Sequence, residues 1–273
     1  AKTYLDDFMA QKMDDYGTYQ DAITNRAPFL FHSLLSSSIN SGLLNPMQVV
    51  EAALAYYDEN DQARLASVEG FIRQIIGWRE FMRAVYIKDG TTQRRDNFWG
   101  NNRDLSSAWY EGTFGIPPID DAIQKAQTYA YNHHIERLML VGNLMLLSEI
   151  HPDEVYRWFM DMFIDAYDWV MVPNVIGMSQ YADGGMLSTK PYASGGAYID
   201  RMSDHCKGCA YDRKKRVGED ACPFTVLYWD FFLRHEDRFV RNPRVARQVR
   251  AAQQLADRNE LQTTAVSIFS RLD

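Results

Sequence analysis

Apolar residues recur along most of this chain at steps of three and four, the spacing that gathers them on one face of a helix. Phe71, Ile75, Trp78 and Met82 are the clearest run. The pattern predicts helices near 4–16, 18–25, 46–58, 67–87, 119–131, 133–149, 152–170, 222–238 and 243–270. Two starts carry helix-entry signals. Asn45 precedes Pro46, and His151-Pro152 is followed by Asp153 and Glu154, whose charges suit a helix N-terminus. Strand-like alternation is almost absent, so the expected fold class is all-α. Irregular stretches at 88–118 and 171–221 are rich in Gly, Pro, Asn and Ser. Loops that long inside a compact helical unit are usually functional. With no internal repeat, low-complexity tract or linker, residues 1–273 are expected to form a single domain.

Composition supports a packed core. The chain is 46% hydrophobic and 13% aromatic, which excludes general disorder. No apolar run approaches the roughly 18 residues of a membrane span, and no signal-peptide pattern opens the sequence. The expectation is a cytoplasmic protein without membrane contact. A net charge of -7 argues against a nucleic-acid partner until its distribution is considered. Residues 1–200 carry 15 basic and 26 acidic side chains, whereas 201–273 carry 14 basic and 10 acidic. Arg213, Lys214, Lys215 and Arg216 form one basic cluster. Arg241, Arg244, Arg247 and Arg250 form another, spaced to lie along one helix stripe.

Three constellations carry chemistry. Cys206, Cys209 and Cys222 lie within 17 residues, and Pro223 follows the last. An odd, clustered set of thiols in a cytoplasmic chain points to metal rather than disulfides. The spacing admits iron-sulfur or zinc, with His205 available as a further ligand. Asn132-His133-His134 opens a helix that continues with Glu136 and Arg137; adjacent histidines point about 100° apart, which suits acid-base work better than a shared metal. Plain helix-start histidines are the bland reading. The third constellation runs from His32 through Ser33, Leu34, Leu35 and Ser36 to Asn40, ahead of the Asn45-Pro46 start. Its hydroxyls and free N–H groups can cradle a pyrophosphate.

Taken together these pieces resemble one family. HSLLSSSINSGLL, EGFIRQIIGWREFMRAVY, NHHIERLMLVGNLMLLSEI, FIDAYDWVMVPNVIGMSQYADGG and MSDHCKGCAYDRKKRVGEDACPF are similar, in this order, to segments of the bacterial iron-sulfur photolyases and cryptochromes, which include (6-4) photolyases. The resemblance runs from about residue 8 to the C-terminus. It implies an all-α FAD-binding helical domain with an iron-sulfur subregion at about 118–222, acting on damaged DNA.

The resemblance also implies roles. Ser33, Leu35 and Ser36 match the flavin phosphate loop, with Tyr19 beside it. Arg137 pairs with an acid at the isoalloxazine ring, Asp165 or alternatively Asp168, and Asn174 approaches the ring nitrogens. Trp78 and Arg79 line the lesion pocket or the flavin. His133, His134 and Tyr192 match the groups that surround a flipped (6-4) lesion, a histidine supplying the proton while reduced, photoexcited flavin supplies the electron. Trp158 and Trp109, or Tyr110 in place of the latter, match an aromatic electron-transfer chain in which Phe159 replaces a usual tyrosine.

Two departures stand out. The family carries an N-terminal α/β domain with an antenna chromophore; nothing precedes residue 1 here, so no antenna chromophore is expected and a partner protein can cover the face so left. The family's 4Fe-4S cluster has four cysteines, and Pro118 stands where the first belongs, leaving Asp120, Asp121, His205 or water for the fourth position. The implied function is light-driven repair of (6-4)-type pyrimidine lesions by a lyase. A cryptochrome-like blue-light photoreceptor without repair is the alternative, and a primase-like iron-sulfur DNA-binding module is the third reading.

Overall fold

The computed structural model describes every residue of the chain except Arg241. Among the described residues there is no strand beyond isolated bridges at Ile23–Ser203, Arg103–Ile150 and Asp212–Ala221. The fold is all-α. Its helices are α1 (Lys2–Gln11), α2 (Met13–Tyr19), α3 (Ser36–Asn40), α4 (Pro46–Glu59), then α5, a continuous run of Leu65–Ile72, Arg73–Arg79 and Glu80–Gln93. After α6 (Ala108–Glu111) and α7 (Pro117–Tyr129) comes α8, built of Glu136–Gly142 and Asn143–Leu147. Then follow α9 (Pro152–Met162), α10 (Asp168–Met171 with Val172–Ser179), α11 (Gly196–Met202), α12 (Pro223–Arg234), α13 (Glu236–Phe239), α14 (Ala246–Gln253) and α15 (Arg258–Leu272). No helix is long and apolar enough to cross a membrane.

Local chemistry explains the best-defined ends. Asn45 caps α4 in a capping box with Gln48, and Pro46 fills the first turn. The His151 ring accepts from the Asp153 N–H at the start of α9. Four expectations are corrected. The segment 18–25 is not a helix: α2 ends at Tyr19, and Ile23 instead bridges to Ser203. The 152–170 helix breaks at Phe163, whose extended backbone opens a loop containing Asp165. The 243–270 helix is two helices, divided around Gln254–Asp257. Within the supposed loop 171–221 lie the remainder of α10 and all of α11.

Two apolar clusters make the interior. One gathers α1, α2, α4 and the first half of α5 around Phe8, Met13, Tyr16, Val49 and Phe71. The other gathers α6 through α15 around Trp109, Ile119, Leu144, Trp158 and Phe231. Three helices contain a wide turn: Arg73–Arg79 in α5, Glu136–Gly142 in α8 and Val172–Ser179 in α10 follow π-helical hydrogen bonding. Such widened turns occur mostly at functional sites. All three border the same cavity.

Candidate flavin-binding site

A cavity of about 450 Å³ lies where the two apolar clusters meet. Tyr16, Leu35, Ile39, Phe71 and Ile75 line it from the first cluster, and Phe159, Met171 and Val175 from the second. Its polar groups come from elements far apart in sequence. Ser33 and Ser36 stand at the mouth of α3, where Leu34 takes a left-handed backbone (φ 58°) and the Leu35 N–H bonds the Ser33 hydroxyl. That turn leaves the backbone N–H groups at the start of α3 free to meet an anion.

Arg137 rises from the wide turn of α8 and pairs with Asp165 at 2.8 Å. The pair is largely buried, each side chain about 15% exposed (16% and 14%). Its geometry is fixed from several sides. The Arg137 Nε–H donates to the Asn132 carbonyl at 2.7 Å, the guanidinium lies 3.9 Å over the Phe163 ring, and Asn40 Nδ2 donates to the Asp165 carbonyl. On α10, Asn174 donates to the Val170 carbonyl and accepts from the Trp78 indole N–H at 3.2 Å, joining α5 to α10 across the cavity. Arg79 stacks over Trp169, 4.9 Å from its centroid. His134 and Tyr192 complete the wall.

Some expected residues stand elsewhere. Tyr19 is 45% exposed and stacks on Phe31, outside the lining. Asp168 accepts from Tyr86, Arg94 and Tyr156, so it ties α5 and α9 to the start of α10 rather than facing the cavity. Trp109 and Trp158 are fully buried behind it, the Trp158 indole N–H donating to the Trp109 carbonyl at 2.9 Å; their neighbour Phe159 reaches the wall. His133 is buried one layer back. Its backbone N–H donates to Glu136, and its ring Nδ1 accepts from the Ile135 N–H.

Sequence reasoning passed over His32 as a titratable group, because it was read only as the first residue of the serine loop. It lines the cavity and stacks on His133, with ring centroids 4.7 Å apart and planes 10° from parallel. The ring nitrogens of His32, His133 and His134 fall within 4.8 Å of one another. Near-parallel rings send their in-plane lone pairs along separate planes, so this trio suits a proton better than a metal ion. Burial, then the charge of His134, pushes His32 down to about 3, and burial holds His133 well below the usual histidine value. Both stay neutral near pH 7. His134, half exposed, meets Asp21 at 3.1 Å. Asn40, the end of the serine constellation, also lines the cavity, as do Gln74, Tyr131 and Met178, which nothing in their local sequence marks.

The cysteine segment folds into a knuckle. Gly208 takes a left-handed backbone (φ 80°) between Cys206 and Cys209, and the Tyr211 N–H points to the Cys209 sulfur at 3.5 Å. The Asp212–Ala221 bridge returns the chain so that Cys222 caps α12, whose first N–H groups face its sulfur. Gly196 packs where a Cβ would lie 3.0 Å from that sulfur. Burial, then Asp200 and the two neighbouring thiols, pushes Cys206 up to about 11, and burial raises Cys222. Cys206 and Cys222 so placed hold their protons until a cation displaces them. Pro118, buried on α7, offers no ligand atom.

The basic clusters are less free than their sequence suggests. Arg213 pairs with Asp200, Lys215 with Asp220 and Arg216 with Asp257. Lys214, Arg244, Arg247 and Arg250 have no acidic partner among the described residues; Arg241 lies outside them.

The sequence pattern of the family described as the FAD-binding domain of DNA photolyase matches residues 71–195, which include three of the cavity's polar anchors, Arg137, Asp165 and Asn174. Over 272 residues the chain is 45% identical to a (6-4) photolyase of Agrobacterium fabrum, covering 99% of this chain and 53% of that protein. It is 28% identical over 143 residues to the deoxyribodipyrimidine photo-lyase of Escherichia coli, covering 49% of this chain and 29% of that one. The chain thus spans about half the length of its Agrobacterium relative. In fold it is similar to a class III photolyase from Agrobacterium tumefaciens, with a TM-score of 0.61 at 17% identity over 99% of this chain and 55% of the other. A Synechocystis cryptochrome gives a TM-score of 0.56 at 16% identity over 93% and 54%. With the cavity, its anchors and these relatives agreeing, the chain belongs to the photolyase/cryptochrome family and corresponds to its FAD-binding helical domain.

Proposed function

We propose that this protein repairs (6-4)-type pyrimidine lesions in DNA, driven by light, with residues 1–273 acting as one flavin-binding and DNA-binding unit. The observation that carries the reading is convergence on one cavity: the Ser33–Ser36 turn, the Arg137–Asp165 pair, His134 and Tyr192. Bound FAD, reduced and photoexcited, supplies an electron to the lesion. The protein's own groups do the rest. Ser33 and Ser36 with the N–H groups of α3 take the pyrophosphate. Arg137 offsets negative charge on the flavin ring, and Asp165 holds its guanidinium in place. His134, paired with Asp21, holds the transferable proton at its ring, and Tyr192 faces the same space. His133 sits behind the wall and acts through its stack with His32, as a positioning residue. A flipped lesion enters at low cost, because its stacking is already broken.

We further propose that Cys206, Cys209 and Cys222 hold an iron-sulfur cluster, for which the knuckle N–H groups and the space left by Gly196 are suited. Trp109 and Trp158, joined by their hydrogen bond, are proposed as part of the electron path to the flavin.

The test uses reduced, flavin-loaded protein, an oligonucleotide with a (6-4) lesion, and blue light against a dark control. His134→Ala should keep its flavin and lose repair by about 10²-fold or more. Binding to damaged DNA should survive that change and weaken steeply with salt. Wild type that is flavin-loaded yet inert on the lesion supports the photoreceptor reading instead, which the withdrawal of His133 from the wall favours.

A further inference from the structure

We infer that His205 is the fourth ligand of the cysteine site, binding the metal through Nδ1. The inference rests on the proposal that the three thiols hold a metal cluster. Three cysteines leave such a site one donor short, since both tetrahedral zinc and the cubane cluster take four protein ligands. The neighbouring acids are already engaged. Asp120 accepts from the Phe114 and Gly115 N–H groups at 2.9 and 2.8 Å, Asp200 pairs with Arg213, and Asp212 accepts from the Lys214 N–H. His205 differs. It adjoins Cys206 in the chain, its side chain is 2% exposed, and its Nδ1 is buried with no hydrogen-bond partner.

The other ring nitrogen explains which atom is free. Nε2 meets Asp121 at 3.1 Å, and Asp121 is also held by Lys125 at 2.9 Å. Lys125 donates to the same Asp121 carboxylate, so that carboxylate is the acceptor for both neighbours and Nε2 carries the hydrogen. Nδ1 is then left with a bare lone pair. A lone pair stranded away from water is unfavourable, and a metal bond would remove that penalty. A carboxylate that holds the far N–H of an imidazole is also the usual support of a metal-bound histidine, fixing tautomer and ring orientation. Asp121 lies on α7, one turn after buried Pro118, so that helix reaches the cysteine segment through its carboxylate. Replacing a thiolate by neutral imidazole removes one negative charge from the site. The cluster should therefore be easier to reduce than an all-cysteine one.

The experiment is made on the full chain, purified anaerobically, with iron and sulfide analysis first. Electron spin echo spectroscopy of the reduced cluster should show a directly bound nitrogen, whose signal changes when histidine is supplied as the ¹⁵N form. His205→Ala should lose that coupling and about one iron in four. His205→Cys should keep all four irons, lose the coupling and shift the reduction potential downward. Asp121→Asn should keep the iron and the coupling and change the potential. Flavin content and circular dichroism verify the fold of each variant. Wild type with a full cluster and no histidine coupling overturns the inference alone, as does a His205→Ala cluster identical to wild type. Wild type that binds no iron overturns the cluster proposal and this inference together.

Discussion

Arg137 shows how much one side chain settles here. Its guanidinium touches the Asp165 carboxylate, the Phe163 ring in the same loop and the Asn132 carbonyl, so two separate segments fix its position at the cavity. Truncation to Ala leaves Asp165 an orphaned charge in a site about 15% exposed (14%). Breaking a fully buried pair costs about 3–5 kcal/mol, and residual solvent at this one lowers the loss toward about 2–3. Arg137→Ala should lower unfolding free energy by that amount and reduce the flavin-to-protein absorbance ratio. Arg137→Lys restores charge without the fork that reaches both Asp165 and Asn132, so it should recover stability only in part. An Arg137→Ala protein with undiminished flavin content would remove this residue from the site.

At the scale of elements, the wide turns of α5, α8 and α10 are the feature that shapes the cavity. Arg137 and Leu138 come from one, Asn174, Val175, Met178 and Ser179 from another, and Gln74, Ile75, Trp78 and Arg79 from the third. Helices α8 and α10 meet at Gly142, where a Cβ would fall 2.2 Å from the Ser179 hydroxyl and 2.8 Å from the Arg137 carbonyl. Neither neighbour is a yielding chain end. Gly142→Ala should therefore destabilise by about 1–3 kcal/mol through overpacking and disturb the backbone that carries Arg137. Urea denaturation measures the first effect and flavin titration the second. Adding Ser179→Gly should restore part of both; no recovery would place the strain at the Arg137 carbonyl. The periodicity at 67–87 identified a helix whose Phe71, Ile75 and Met82 are buried, while Trp78 of the same run is 38% exposed at the cavity; three-and-four spacing carries no mark of where an extra residue widens a turn.

Across the whole molecule, buried histidines set a pH limit on the fold. Burial pushes His32 and His235 down to about 3 and holds His133 well below its ordinary value. The unfolded chain takes up protons near pH 6.5, whereas the folded chain does not. For His32 and His235 the contribution is thus fully present above pH 6.5 and is lost as pH falls from there toward about 3. Between pH 6.5 and 5 each costs up to about 2 kcal/mol. Stability by urea denaturation should drop markedly from pH 7.5 to 5, and His32→Phe, which keeps a ring in the stack, should lessen the slope. Equal stability at both pH values would show that these rings are not held neutral.

The sequence by itself determined the helical class, the start of α4 and α9, the cysteine knuckle and the serine turn, because each rests on contacts within a few residues. It also carried Arg137, Asp165, Asn174 and His134, through long motifs in a recognisable order. Tertiary structure decided the rest. Asp165 and Asp168 are acids three residues apart, one in the loop before α10 and one at its start; only the packing of Tyr86, Arg94 and Tyr156 turns Asp168 away from the cavity. Tyr19 and His32 bound the same irregular stretch 20–31, yet Tyr19 faces solvent and His32 the cavity, because its ring stacks on a histidine 101 positions later. Local sequence sets what a segment is made of and where it bends. Which side of a loop faces inward depends on surfaces brought from far along the chain, and that information exists only once the two apolar clusters have closed around the cavity.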